Sequence, residues 1–334
     1  MADESTMRNL ITDVEGVRVG HAGAAKLGSG VTALIFDEPA VAGIDIRGGG
    51  PGTRETALLN PERTVGAIDA ITLSGGSAFG LDAPSGVQAW LREQGRGYSI
   101  GNAVVPIVPG AILFDLLSGG DKNWGRYPPY RELGYEAAGN ASKDCALGSV
   151  GAGLGATTVN MKGGFGSASA ISEGITVGVM AAVNAVGSVT IGETKHFWAA
   201  PVEQNNEFGG CGFPSPTPAD ALEPQMKGGA RTSTTLVVVA TDALLTKAQC
   251  KRLAVMAQTG MARAIYPVHT PLDGDVLFAA ATGKKALTDP TYGFSRLGVV
   301  AANVTARAIA RAIYEATALP FPGALPSWRD KFAG

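Results

Sequence analysis

The amino-acid sequence predicts a mixed α/β (α+β) fold in which two sheets are flanked by helices. Three observations carry that prediction. Near-continuous apolar runs of strand length occur at 67–73, 174–184 and 236–240. Long helical patterns follow residues 76, 246 and 295 without regular strand–helix alternation, an order that fits stacked sheets better than a doubly wound parallel sheet. Glycine is abundant, 47 of 334 residues, about twice the usual ~7%, as the tight turns and close backbone approach of layered sandwiches require.

Composition bounds the function. With 45% hydrophobic and 17% charged residues the chain has ample core for one large domain or two ordinary ones. A net charge of −2 leaves no electrostatic footprint for nucleic acid or an anionic membrane. No apolar stretch approaches the ~18 residues of a membrane span, and MADESTMRNL lacks the apolar core of a secretion signal. Cys145, Cys211 and Cys250 show neither pairing nor metal-ligand spacing, which fits reduced thiols. A cytoplasmic enzyme without membrane or nucleic-acid partner is expected.

Taken in order, 9–21, 30–36 and 40–46 read as short strands separated by Gly, Pro and Asp turns. The glycine loop 47–60 carries Arg54 and Glu55 but no Gly-Lys-Ser/Thr, so it is not a phosphate loop. After the strand at 67–73, residues 74–80 turn into an amphipathic helix ending near Gly95, with Leu81, Val87 and Leu91 on its apolar side. Phe79 stands where a Ser-hydrolase elbow needs glycine. The spans 103–117 and 121–134 read as a packed segment and a surface loop, and 147–171 misses the dinucleotide fingerprint by one position. Within it, Lys162 is either a solvated lysine or a functional one. The strand at 174–184 ends on Asn184, a turn former or an oxyanion donor.

Residues 202–233, with Pro214, Pro216, Pro218 and Pro224, read as a flexible linker. It ends against the hydroxyl cluster Thr232-Ser233-Thr234-Thr235 and the buried-strand pattern Leu236–Ala240. A hydroxyl there either starts a strand or, if the chain cuts itself before it, becomes a nucleophile whose own α-amine acts as base. Such an amine titrates near pH ~8 and can accept a proton at neutral pH. Beyond it, Thr246 and Gln249 form a capping box for a helix over about 247–264. Asp273 and Asp275 flank Gly274 in a turn before another apolar strand, without calcium-loop or His-pair spacing. A last helix is predicted near 296–316.

The blocks DVEGVRVGH (13–21), GGGPGTRET (48–56), LSGGSAFGLDAPSGV (73–87), VPIVPGAILFD (105–115), MKGGFGSAS (161–169), GVMAAVNAVG (178–187), STTLVVVATD (233–242) and HTPLDGDVLFAAATG (269–283) together resemble the L-aminopeptidase/D-esterase family, with its β-peptidyl aminopeptidase and nylon-oligomer endo-hydrolase members. The resemblance spans nearly the whole chain, in family order. It implies a four-layer αββα sandwich resembling N-terminal-nucleophile hydrolases and a single catalytic domain, 1–334. It further implies self-cleavage into an α chain (1–233) and a β chain (234–334), with 202–233 as processing linker. An assembly of αβ units, a homo-oligomer with a tetramer favoured, and no cofactor or metal also follow from it.

Carried over by position, Thr234 matches the nucleophile and Ser233–Thr234 the cleavage junction. Asn184 matches an oxyanion donor, and Lys162 a residue ordering the nucleophile by charge and hydrogen bonding. Asp273 and Asp275 match an acidic pair holding the Thr234 amine or hydroxyl. Two departures stand out. Ser233 occupies a position commonly Asn or Gly, and Phe114 stands where some members carry Tyr, which removes a phenolic donor. Thr232, Ser233 and Thr235 are fallback nucleophiles. The implied activity is hydrolysis of amide bonds in short peptides or peptide-like amides, β-amino-acid and D-amino-acid derivatives included, with nylon (6-aminohexanoate) oligomers as an alternative substrate. An ornithine-acetyltransferase-type acyl transferase and a non-catalytic binding protein are the competing readings.

Overall fold

The structure, a computed structural model, describes residues 7–228 and 233–333. Among them, nine strands join in the order β3 (Gly52–Arg54), β7 (Gly110–Ile112), β4 (Ile68–Ser74), β2 (Ser29–Ile46), β11 (Val276–Lys285), β10 (Thr234–Ala243), β9 (Ile175–Asn184), β8 (Gly164–Ser172), with β1 (Val17–Ala24) also paired to β2; β5 (Tyr98–Ile100) and β6 (Ala103–Val105) pair separately with each other. Strand β2 is the hinge of the arrangement. Its first half pairs with β1 and β4, and residues 41–46 pair with β11. The 30–36 and 40–46 runs, expected as two strands, are therefore one 18-residue strand. Exposed Asp37, Glu38 and Pro39 mark a register shift between Ile35 and Ala40 rather than a turn. Pro39, which cannot donate to a ladder, is tolerated at such an irregularity.

Side-chain alternation shows how the two half-sheets stack. Leu34, Phe36, Ile71 and Leu73 share one buried cluster with Met180, Leu236, Val238 and Phe278. Val31, Ala33 and Ile35 pack instead under α1 (Ala83–Glu93) and α2 (Tyr130–Gly139). Val179, Val237 and Leu277 pack under α3 (Lys247–Ala262) and α4 (Tyr292–Tyr314). Successive strand residues point to opposite faces, so each half-sheet has one face on its partner and one under helices. That is the expected αββα sandwich. Each large apolar side chain so buried stabilises the fold by ~1.5–3 kcal/mol.

Helix α3 starts at its capping box: Thr246 Oγ1 accepts from the Gln249 amide at 3.2 Å, and Gln249 Oε1 accepts from the Thr246 amide at 2.9 Å. Helix α1 begins later than the sequence suggests, at Ala83 after a 3-10 turn over Ser77–Asp82, with Pro84 in its first turn. Helix α2 lies across the predicted surface loop 121–134. Its N-cap is Pro129, with no side-chain cap, and it contains Gly134 and Gly139. A Cβ on Gly134 would lie 2.1 Å from the Ala83 carbonyl, so the residue that weakens the helical pattern is the one that lets α2 close on α1.

Residues 203–228 contain no regular strand or helix, and three anchors tie this stretch to the rest of the fold. Phe208 packs edge-on against Phe197, the buried Glu207 pairs with Arg307, and Lys227 is buried with its amide on the Val186 carbonyl. Anchors this far apart in sequence are invisible to composition. Residues 229–232, and with them Thr232, lie outside the described residues.

Candidate active site

Thr234 is the first residue of β10 and lies directly opposite Asn184, the last residue of β9. Opposed residues of an antiparallel pair share a face. Leu236 and Val238 belong to the cluster between the half-sheets, so alternation turns Thr234 and Asn184 inward, toward the end of the inter-sheet layer. Thr235 takes the opposite face, with Val237 and Val239 under the helices. Its Oγ1 and the Ser233 Oγ are buried without a partner among the described residues. The Thr234 hydroxyl donates to the Ser233 carbonyl at 2.6 Å. The Gly274 amide donates to that same oxygen at 2.7 Å. The carbonyl of the peptide bond ahead of Thr234 thus carries two donors.

On the β11 side, the turn 269–275 wraps this carbonyl. Asp275 accepts from the Thr235 amide at 2.7 Å and from His269 Nδ1 at 2.9 Å. Asp273 accepts from the Thr270 amide and hydroxyl, both at 2.8 Å, and from the Val186 amide at 3.3 Å. Burial, then the neighbouring Asp275, push the Asp273 carboxyl above its ordinary range. The two acids, expected to hold the Thr234 amine or hydroxyl, lie in the turn that crosses that hydroxyl. Among the described residues that hydroxyl goes to Ser233, and both carboxylates are engaged by the turn and by the amide of Thr235. A Cβ on Gly274 would lie 2.6 Å from Thr234 Oγ1, so glycine is required where the turn crosses the hydroxyl. The glycine loop backs this turn: the Gly48 and Gly50 amides donate to the carbonyls of Asp275 and Asp273 at 3.3 and 2.8 Å.

On the β9 side, the Asn184 carboxamide is fully buried. Its Oδ1 accepts from the Thr157 amide at 3.0 Å and from Lys227 Nζ at 3.1 Å, and its Nδ2 donates to the Phe114 carbonyl at 3.0 Å. Position 114 thus meets Asn184 through its backbone. Phe114, Leu117, Thr157, Lys227 and Leu325 line a cavity of about 80 Å³ next to this network. Lys162 is also buried, but its ammonium donates to the carbonyls of Gly153, Ala156 and Gly163 at 2.7–3.0 Å. Those bonds use its three donors. They fasten the 153–163 loop, which carries Thr157. Burial, opposed by the charge of Asp115, brings the Lys162 pKa down to about 7.

The structure therefore gathers Thr234, Asn184 and the 273–275 turn, and places Lys162 behind the loop. Residues that sequence reasoning passed over are Lys227, Thr157, His269 and Gly274. Gly274 had a signal, a glycine between two acids. Lys227 and Thr157 have none, since each lies in irregular chain that only the tertiary fold brings to Asn184. Among the described residues no group of three or more His, Cys, Asp or Glu gathers as a metal site would need, and no helix is long and apolar enough to cross a membrane.

Two helical layers enclosing two packed half-sheets are the architecture of the N-terminal-nucleophile hydrolase fold. A solved structure sharing it is the L-aminopeptidase D-Ala-esterase/amidase of Ochrobactrum anthropi, described as a variant of that fold. It aligns with a TM-score of 0.71 at 22% identity, over 97% of this chain and 91% of that one. Residues 9–324 match peptidase family S58, and the chain belongs to that family. An uncharacterized aminopeptidase of Mycobacterium tuberculosis is 42% identical over 98% of both chains. A 6-aminohexanoate-oligomer endohydrolase of Agromyces is 26% identical over 90% of this chain and 82% of its own length. The protein is an aminopeptidase-type hydrolase acting on amide bonds.

Proposed function

We propose that the chain cuts itself between Ser233 and Thr234 and then works as an N-terminal-threonine aminopeptidase or amidase on short peptides and peptide-like amides. The observation that carries this reading is the Ser233 carbonyl, held by the Gly274 amide while the Thr234 hydroxyl lies 2.6 Å from its oxygen. In the cleavage step Thr234 Oγ adds to the Ser233 carbonyl carbon, and the hydroxyl proton passes to the Thr234 nitrogen. The C–N bond breaks and leaves an ester. Water then releases the Ser233 carboxylate and frees the Thr234 hydroxyl and α-amine.

In turnover that amine takes the Oγ proton as Oγ attacks the substrate carbonyl. The Asn184 amide hydrogen not bonded to Phe114 stabilises the oxyanion, and the leaving amine departs with the proton. Water, deprotonated by the same amine, hydrolyses the acyl-enzyme. Asp273 and Asp275, either side of the glycine that crosses Thr234 Oγ1, hold the new ammonium group. The 26% identical nylon-oligomer hydrolase supports a second reading, endo-cleavage of 6-aminohexanoate oligomers at the same site. A tetramer of αβ units working in the cytoplasm belongs to the proposal as well.

Intact-mass analysis tests the first step: wild type yields fragments 1–233 and 234–334, and Thr234→Ala stays whole and loses activity by roughly 10⁴-fold or more. An active Thr234→Ala, or a break elsewhere, sinks the assignment. Comparing aminoacyl and β-aminoacyl p-nitroanilides with 6-aminohexanoate oligomers separates the two substrate readings. Exchange between ornithine and acetyl-ornithine would instead indicate acyl transfer.

A further inference from the structure

We infer that Lys227 is a positioning residue for Asn184, fixing which edge of its carboxamide faces the reacting carbonyl. The inference rests on the proposed role of Asn184 as oxyanion donor and adds a residue from the segment ahead of the cleavage junction. The orientation of a buried carboxamide is ordinarily open to a flip that exchanges its oxygen and nitrogen. Here the partners decide it. Thr157 presents a backbone N–H and Lys227 an ammonium, both of which can only donate, at 3.0 and 3.1 Å from one end of the group. The Phe114 carbonyl, which can only accept, lies 3.0 Å from the other end. Flipping Asn184 would set its NH₂ against two donors and its oxygen against a carbonyl.

Lys227 also bonds the Asn184 backbone carbonyl at 3.3 Å, and its own amide donates to the Val186 carbonyl at 3.0 Å. The lysine is thereby anchored to the β9 end before its ammonium acts. The Lys227 Nζ bond to Oδ1 further polarises the amide and strengthens its remaining N–H donor. Lys162, the buried lysine singled out from sequence, makes no such contact. Its three bonds go to loop carbonyls.

The test is a double-mutant cycle on kcat with an aminoacyl p-nitroanilide that the wild type accepts, with rates normalised to the fraction of chains cut as read by intact mass. Lys227→Met should lower kcat roughly 10- to 100-fold with KM within about twofold, a fraction of the ~10²–10³ lost when an oxyanion donor is removed outright. Lys227→Arg, which keeps a donor and the charge, should recover much of it. Asn184→Ala combined with Lys227→Met should be no slower than Asn184→Ala alone, because Lys227 acts through Asn184. Wild-type kcat in Lys227→Met, or losses that multiply in the double variant, would overturn the inference. A Lys227→Arg as impaired as Lys227→Met would likewise count against it. The cycle reads the coupling of these two residues whichever hydroxyl attacks, so its outcome is independent of the Thr234→Ala result.

Discussion

The two flanks of β10 present Thr234 with opposite chemistry. On the β11 flank the 269–275 turn gathers carboxylates whose oxygens are occupied by amides, and it places one backbone N–H on the Ser233 carbonyl. On the β9 flank a carboxamide has its oxygen held by two donors and one of its hydrogens on the Phe114 carbonyl, so its second hydrogen is the group left to offer. The first flank touches the chain's own peptide bond and the second does not. Under the proposed function, the difference assigns self-cleavage and turnover to separate donors around one hydroxyl.

Three substitutions would break or sharpen that contrast. The largest effect is expected from Gly274→Ala. The added methyl would sit 2.6 Å from Thr234 Oγ1 and 2.7 Å from the Gly50 carbonyl, so the turn must shift and the Gly274 amide with it. Self-cleavage should slow at least ~10²-fold, the scale of one lost oxyanion donor, followed as the appearance of the 234–334 fragment on gels. Asn184→Ala should do the reverse, cutting itself at near the wild-type rate and losing ~10²-fold in kcat. If it too stays uncut, the flanks are not separate.

Lys162→Met gives the smallest and most diagnostic effect, in stability against pH. With its pKa brought down to about 7 by burial, native Lys162 gives up its proton above pH 7, and the unfolded lysine keeps it until about 10.4. The unfolded state then binds more protons, so wild-type stability should rise relative to Lys162→Met from pH 7 toward 10, by at most ~1.4 kcal/mol per unit, and be flat below 7. Denaturant midpoints across that range measure it. A difference independent of pH would show the lysine neutral or charged throughout.

Much of this was legible in residues alone. Strands such as Ile175–Asn184 and Thr234–Ala243 are buried at every position, so their apolar runs needed no tertiary help to be seen. Thr246 and Gln249 announced α3 because a capping box is a local device. The site was legible where residues are adjacent in sequence, as at Ser233–Thr234 and Asp273–Asp275. It was opaque where separate loops meet: Lys227 and Thr157 reach Asn184 from 43 and 27 positions away. Helix α2 was missed because its glycines are chosen for the approach of α1 rather than for helix propensity.

Strand β2 has a mechanical meaning. Because Ser29–Ile46 runs unbroken through both half-sheets, the molecule is bound like a book whose two leaves share one spine. The leaves cannot slide past each other, and spreading them would have to bend the backbone at Asp37–Pro39.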